Sequence, residues 1–282
     1  MPTGFAAGKQ WYRNARLRPL NGADEEVVSE SARAFLPAER VTALLTRCLM
    51  NLGPKASIVN EDVRSLSVGD RDALLLYLHR LTFGHRIHAI LACPQPSCKE
   101  KMDLELTIGD LLVPPNEQAE ESYEMVISKN STAYKVKFRL PTGADQEEVA
   151  RLALRDRGAA SRLMLRRCIQ TVEREGTTIR INDKLPTAVA EMLPKMIAKL
   201  DPQAEVLLDM TCPTCRQHFI ANFDIGDYFF RELMNHPQQL YREVHVLALH
   251  YHWNEREIMN MPRSKRQIYL ELLAETLNSE GS

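Results

Sequence analysis

No run of uncharged apolar residues in this 282-residue chain approaches the length that a membrane span requires, and Met1–Gln10 lacks the apolar stretch of a secretory signal. The expectation is a cytoplasmic protein that meets no membrane and keeps its six cysteines reduced. Neither sign of charge is in excess: 36 basic side chains face 37 acidic ones, and a net charge of −1 exerts no global pull on nucleic acid or anionic lipid. Aromatic residues make up only 6% of the chain, a further argument against a nucleic-acid-binding surface. There is no serine or cysteine nucleophile motif, no phosphate-binding glycine loop and no paired-carboxylate signature. No enzyme and no small-molecule substrate are therefore expected. What is present suffices for a folded body, since 44% hydrophobic residues can bury a core without disulfide staples.

The most informative feature is an internal repeat. Arg18-Pro-Leu-Asn-Gly-Ala-Asp24-Glu25 returns as Arg139-Leu-Pro-Thr-Gly-Ala-Asp145-Gln146, roughly 120 residues later. Arg47-Cys48-Leu49 then meets Arg167-Cys168-Ile169, Cys93-Pro94 meets Cys212-Pro213, and Ile108-Gly-Asp110 meets Ile225-Gly-Asp227. Landmarks kept in order at a slowly drifting offset indicate a duplicated unit with a few loop changes.

Each copy reads as the same succession of elements, and the fold class is α+β. A glycine turn leads through Asp24 or Asp145, read as a helix cap, into a first helix. A second helix buries Val41, Leu44, Leu45, Cys48 and Leu49, with Ser161, Met164, Leu165, Cys168 and Ile169 on the equivalent face. A third carries Leu74, Leu78 and Leu81, matched by Leu193, Ile197 and Leu200. The period then changes to two: Ile87, Ala89 and Leu91 approach Cys93, while Met102, Leu104 and Leu106 leave Cys98. Val206, Leu208 and Met210 approach Cys212, while Phe219, Ala221 and Phe223 follow Cys215. A further strand pair is expected at 123–128 and 133–140, around Lys129-Asn-Ser-Thr132. The resulting division is a first copy over 1–116, a polar linker over 117–121, a second copy over 122–230 and a helical extension over 231–282 with no counterpart in the first copy.

Cysteine pairs at a hairpin bend can aim two thiolates at one point, and two such pairs complete the tetrahedron of a structural zinc ion. Cys93 and Cys98 are separated by four residues, Cys212 and Cys215 by two. These four are the expected Zn2+ ligands, closing one shared site between the copies. A redox dithiol, buried thiols and a vacant site are the competing readings; strand residues continuing after Cys215 disfavour the first, because a thioredoxin-like pair opens a helix. Cys48 and Cys168 lie on apolar helix faces and are expected to pack. His79, His85, His88, His245, His250 and His252 lack the helical spacing of a metal pair and are assigned to packing or surface. Asp110 and Asp227 are expected to cap helices. Arg151, Arg155, Arg157, Arg162, Arg166 and Arg167, with a second patch at Arg263, Lys265 and Arg266, keep open one alternative function, a zinc-ribbon nucleic-acid-binding protein.

Four stretches carry a resemblance: Leu81-Thr-Phe-Gly-His-Arg-Ile87, Asp201-Pro-Gln-Ala-Glu205, Phe223-Asp-Ile-Gly-Asp227 and Glu243-Val-His-Val-Leu-Ala-Leu-His-Tyr-His-Trp-Asn254. In these the chain resembles T-even-phage-type baseplate proteins described as baseplate hub assembly chaperones, also found with phage-tail-like contractile injection systems. The resemblance implies a role in building the hub, with protein partners in the hub or spike, possible incorporation in a phage-like particle, and no enzymatic residues.

Overall fold

The computed structural model describes residues 1–8, 10–31, 34–116, 119–129, 132–180, 185–234 and 238–280. In the first half a hairpin, β1 (Phe5–Ala7) and β2 (Gln10–Tyr12), leads into β3 (Ala15–Leu17), helices α1 (Gly22–Ser31) and α2 (Pro37–Cys48), and β4 (Leu49–Leu52), which returns antiparallel to β3. Helices α3 (Asn60–Ser65) and α4 (Val68–Phe83), the hairpin β5 (Arg86–Ala92) with β6 (Lys101–Thr107), and the single turn α5 (Ile108–Leu111) follow. The second half runs through β7 (Tyr123–Lys129), β8 (Thr132–Phe138), α6 (Gly143–Ala153), α7 (Arg157–Cys168), β9 (Ile169–Arg174) and the short β10 (Thr177–Thr178). Helix α8 (Thr187–Leu200), a 3-10 turn at Pro202–Ala204, the hairpin β11 (Val206–Thr211) with β12 (His218–Phe223), and α9 (Ile225–Met234) complete it. Helices α10 (Gln239–Tyr251), α11 (Glu255–Met259) and α12 (Arg263–Glu280) form the remainder. The class is α+β, with small antiparallel sheets set among helices; the largest has the order β10-β9-β8-β7. The bend expected between β7 and β8 at 130–131, and residues 117–118 of the expected linker, lie outside the described residues.

The repeated motif builds the same local structure twice. Both β3 and β8 shift register just before their last residue, placing Leu17 opposite Leu49 and Phe138 opposite Ile169. The arginine that follows donates its amide to the carbonyl of Cys48 in one half and Cys168 in the other. Its guanidinium then grips a fully buried carboxylate: Arg18 and Arg47 hold Asp24 at 2.5 and 2.9 Å, and Arg139 and Arg167 hold Asp145 at 2.5 and 2.8 Å. Two charge-assisted contacts are what make such a buried carboxylate tolerable. Each aspartate also accepts the amide three residues before it, Asn21 or Thr142, so it closes the first helical turn from inside rather than standing as the cap itself. Burial would raise these carboxyls, but the arginine hydrogen bonds and the backbone amide outweigh it and hold both below the usual carboxylate range.

The C-terminal helices, for which the sequence offered no counterpart, reproduce a docking made by α3 and α4. Ser67 bridges Thr142, and the Val68 amide donates to Pro141 O at 3.1 Å; Pro262 bridges Asn21, and the Arg263 amide donates to Leu20 O at 3.1 Å. A fully buried arginine stands one turn on in each case, Arg71 and Arg266. Gly22 and Gly143 are required here, because a Cβ would come within 2.9 Å of Met259 Sδ at the first and would collide with the Arg71 guanidinium at the second.

The main core gathers α1, α2, α4, α9 and the bases of both cysteine-bearing hairpins around Leu44, Leu45, Leu75, Ile87, Phe223 and Phe229. A second core fills the space between α8 and the four-stranded sheet, and a third joins α10, α11 and α12 through Leu247, Ile258 and the stacked Tyr251 and Trp253, which Tyr269 meets edge-on. Cross-contacts fasten the halves together. Asp201 accepts the Gly69 amide at the start of α4, and Gln203 bonds Leu111 O and the Val113 amide.

Candidate metal centre

Two hairpins of alternating sequence bring the four expected ligands to one place. Their inner faces meet, with Ala89, Leu106, Val206 and Leu208 joining the main core at the base, and Leu91, Met102 and Phe219 packing around the cysteines at the tip. Tyr228 of α9 braces the first hairpin, its hydroxyl accepting the His88 amide and donating to the His88 carbonyl.

Each cysteine loop is closed in the same way despite the different spacing. The amide of the first cysteine donates across the loop to the carbonyl two residues past the second: Cys93 to Glu100 at 2.8 Å, Cys212 to Gln217 at 3.0 Å. The residue after the second cysteine turns the chain through the left-handed region, at φ 52° for Lys99 and 58° for Arg216. Two extra residues in the first loop therefore enlarge its interior without moving its ends. That is how a four-residue and a two-residue spacing deliver equivalent thiols.

The four Sγ atoms lie within 4.8 Å of one another, with Cys93–Cys215 at 3.6 Å and Cys98–Cys212 at 3.8 Å. A disulfide would need about 2.05 Å. A tetrahedron of thiolates about 2.3 Å from a central ion has edges of roughly 3.8 Å, so the arrangement is compatible with a metal site of four sulfur donors. The Cys215 amide, aided by that of Thr214 and opposed by burial, brings the Cys212 thiol down to about 7. At Cys93 the Gln95 amide pulls down, but burial and the neighbouring thiols outweigh it and push the group up to about 12.

The other candidates separate from this centre. Among the described residues no further cluster of histidine, cysteine or acid has metal-binding geometry. Cys48 and Cys168 are buried, which lifts each thiol to about 12. His79 is buried between α4 and α9, bonded to Gly84 O and Glu232, whereas His85, His88, His245, His250 and His252 are exposed. Neither aspartate is itself the cap: at α5 the Thr107 hydroxyl accepts the Asp110 amide while the Asp110 carboxylate accepts the Thr107 amide, and at α9 Asp224 accepts the Asp227 amide while Asp227 pairs with Arg231. The second basic patch is mostly used internally: Arg266 is 0% exposed between Glu25 and Glu243 and Arg263 pairs with Glu25, which leaves Lys265 exposed. The residues that sequence reasoning passed over are the clamp partners, Arg71 and Asp201. The clamp had a signal, since Arg18, Asp24 and Arg47 all recur in the second half.

No helix among the described residues is long and apolar enough to cross a membrane. No curated protein and no solved structure matches the chain. The family described as T4 bacteriophage base plate protein matches residues 8–230, which takes in both clamps, both cysteine pairs and α9 as far as Phe230. The chain belongs to this family, and with it to the proteins that build the phage baseplate.

Proposed function

We propose that this protein is a non-enzymatic assembly factor or structural component of the baseplate hub of a phage or phage-like contractile injection system, stabilised by zinc bound to Cys93, Cys98, Cys212 and Cys215. Family membership carries the baseplate role and implies contact with other phage proteins; the convergence of four thiols from two distant hairpins supports the zinc. When bound, the ion neutralises thiolates and ties the hairpins together. The chain's own residues do the rest: the loop amides orient the thiols, and Leu91, Met102 and Phe219 cover Cys93 and Cys212, while Cys215 stays exposed. The matched clamps and cysteine loops support reading the body as a duplicated unit divided at 1–116 and 122–230. The extension 231–282 lies beyond the family match and is the segment we assign, with the adjoining second copy, to contact with a hub or spike protein. Of the apolar residues there, Trp253 and Tyr269 pack inward, whereas Leu249, Ile268, Leu272 and Leu277 are exposed. Nucleic acid is not part of this reading because family membership points to a baseplate role; of the two basic groups Arg167 is spent on Asp145 and Arg266 is buried, while Arg151, Arg155, Arg157 and Arg162 stay exposed. The site of action is the cytoplasm during assembly, and the composition of finished particles decides whether the chain is retained there.

The test is co-expression with neighbouring hub and spike genes, followed by pull-down and mass spectrometry of finished particles. A complex that is absent from mature particles supports an assembly chaperone, and retention at fixed stoichiometry supports a structural part. Normal particles from a deletion strain would defeat both.

A further inference from the structure

The four-stranded sheet ends on β7, and among the described residues no backbone partner other than β8 is found for Glu124–Lys129. In an antiparallel pair alternate residues turn amide and carbonyl away from the neighbour, so the outer side of β7 offers a row of free donors and acceptors. Edges of this kind are ordinarily blunted by proline, a bulge or an inserted charge. β7 is seven residues long, pairs without a register shift, contains no proline and carries at its centre Val126, 70% exposed.

Helix α8 lies over this edge. Ala188, Val189 and Leu193 bury against the sheet beside Met125, Ile127 and Val136, while the adjacent face of the helix, Glu191, Met192 and Met196, overhangs. Overhang and edge together line a groove of about 400 Å³ along Glu124–Lys129. Lys129 reaches across to Glu191 at 2.6 Å and bounds the groove there. Methionine side chains adapt to varied aliphatic partners, so Met192 and Met196 suit a roof over inserted side chains.

We propose that this groove takes one extended segment of a partner protein, added to the sheet as a fifth strand beside β7, with aliphatic residues at alternate positions beneath Met192 and Met196. The free backbone row selects an extended chain, because a helix has already spent its own amides. The overhang selects a lone strand over a second copy: two β7 edges paired about a twofold axis would bring two α8 helices over the same strip of sheet. The site is independent of the baseplate reading and of the cysteine centre.

The probe is a set of labelled seven-residue peptides alternating Val, Ile or Leu with Thr or Lys, titrated against the full chain, with hydrogen exchange followed across β7. The expected result is saturable binding by members of the set and slowed exchange at alternate β7 amides. Val126→Pro and, separately, Met192→Glu are expected to weaken binding at least about tenfold, while Val126→Thr retains it. Should Val126→Pro lower the melting temperature, Met192→Glu, which leaves the strand intact, decides. The proposal is overturned if no peptide slows exchange in β7, or if binding is unchanged in Met192→Glu. It is also overturned if sedimentation shows the chain pairing with itself through this edge, which would assign the groove to a second copy.

Discussion

Two long helices begin on two glycine turns in the same way, yet the arginine buried beneath each is treated differently. Arg266 of α12 bonds Glu25, Glu243 and the Met261 carbonyl. Arg71 of α4 donates to Ala38 O, and its Nε and Nη1 find no partner among the described residues. The position equivalent to Glu25 is Gln146, and the nearby Glu147 is engaged by Arg64 and Thr42. Burial correspondingly depresses Arg71 to about 10, with Glu147 only partly opposing it. The backbone bonds are common to both docks and set the register; the side chains decide how much each dock stabilises. The C-terminal extension is therefore fastened to the first half by a completed ion-pair network, and any partner-binding role it has is exercised from an anchored position.

Replacing each arginine with methionine breaks this comparison most directly. Arg266→Met leaves Glu243 buried without a cation and Glu25 with Arg263 alone, and is expected to cost about 3–5 kcal/mol in denaturant unfolding, whereas Arg71→Met costs under about 2 kcal/mol because less is lost. Equal losses would show that the pairing difference has no energetic weight. A second effect belongs to α4, whose first turn is held by Asp201. Burial lifts that carboxyl to about 6 despite the Gly69 amide, so the folded state binds a proton more readily than the unfolded one. Its contribution is full below about pH 4, declines as pH rises to about 6 and is flat above; Asp201→Asn should remove that slope, worth roughly 2–3 kcal/mol.

The clamps sharpen the comparison from the other side, because here the halves are alike. Asp24 and Asp145 are both held low, so their stabilisation is present above the ordinary carboxylate range and is lost as pH falls below about 4. Asp24→Asn and Asp145→Asn each remove charge-assisted hydrogen bonds, are expected to cost on the order of 1–3 kcal/mol at neutral pH, and should both flatten the acid limb. The smallest effect is at the cysteine loops. Lys99→Gly and Arg216→Gly relieve left-handed backbone and should each change stability by less than about 1 kcal/mol, in the stabilising direction, measured by thermal melting.

The elements legible in sequence were those with a strong period or a repeated landmark. Alternation around Cys93 and Cys212 placed both hairpins, and the three-four spacing from Val41 to Cys48 placed α2. Strands of three or four residues such as β3 and β4 are too short for a period to register and exist because the arginine clamp and their mutual pairing hold them. Helix α12 escaped comparison with α4 because only scattered positions agree: Val63 with Ile258, and Arg71 with Arg266, all buried and all tied to backbone docking rather than to a contiguous motif. Each cysteine pair was readable by itself, since cysteine spacing is a local property; that the two pairs lie close together depends on the packing of the two hairpins. The equivalence of the unequal loops was not readable, because it rests on the left-handed turns at Lys99 and Arg216.

Whether one zinc ion on four thiolates ties the two hairpins together is decided by metal analysis of the purified reduced chain beside its Cys212→Ser variant, each melted with and without a chelator. About one zinc per chain is expected, lost in the variant, with a melting temperature that falls on chelation of the native protein but not of the variant. Less than about half a zinc per chain, or a native melting temperature indifferent to chelation, would contradict it.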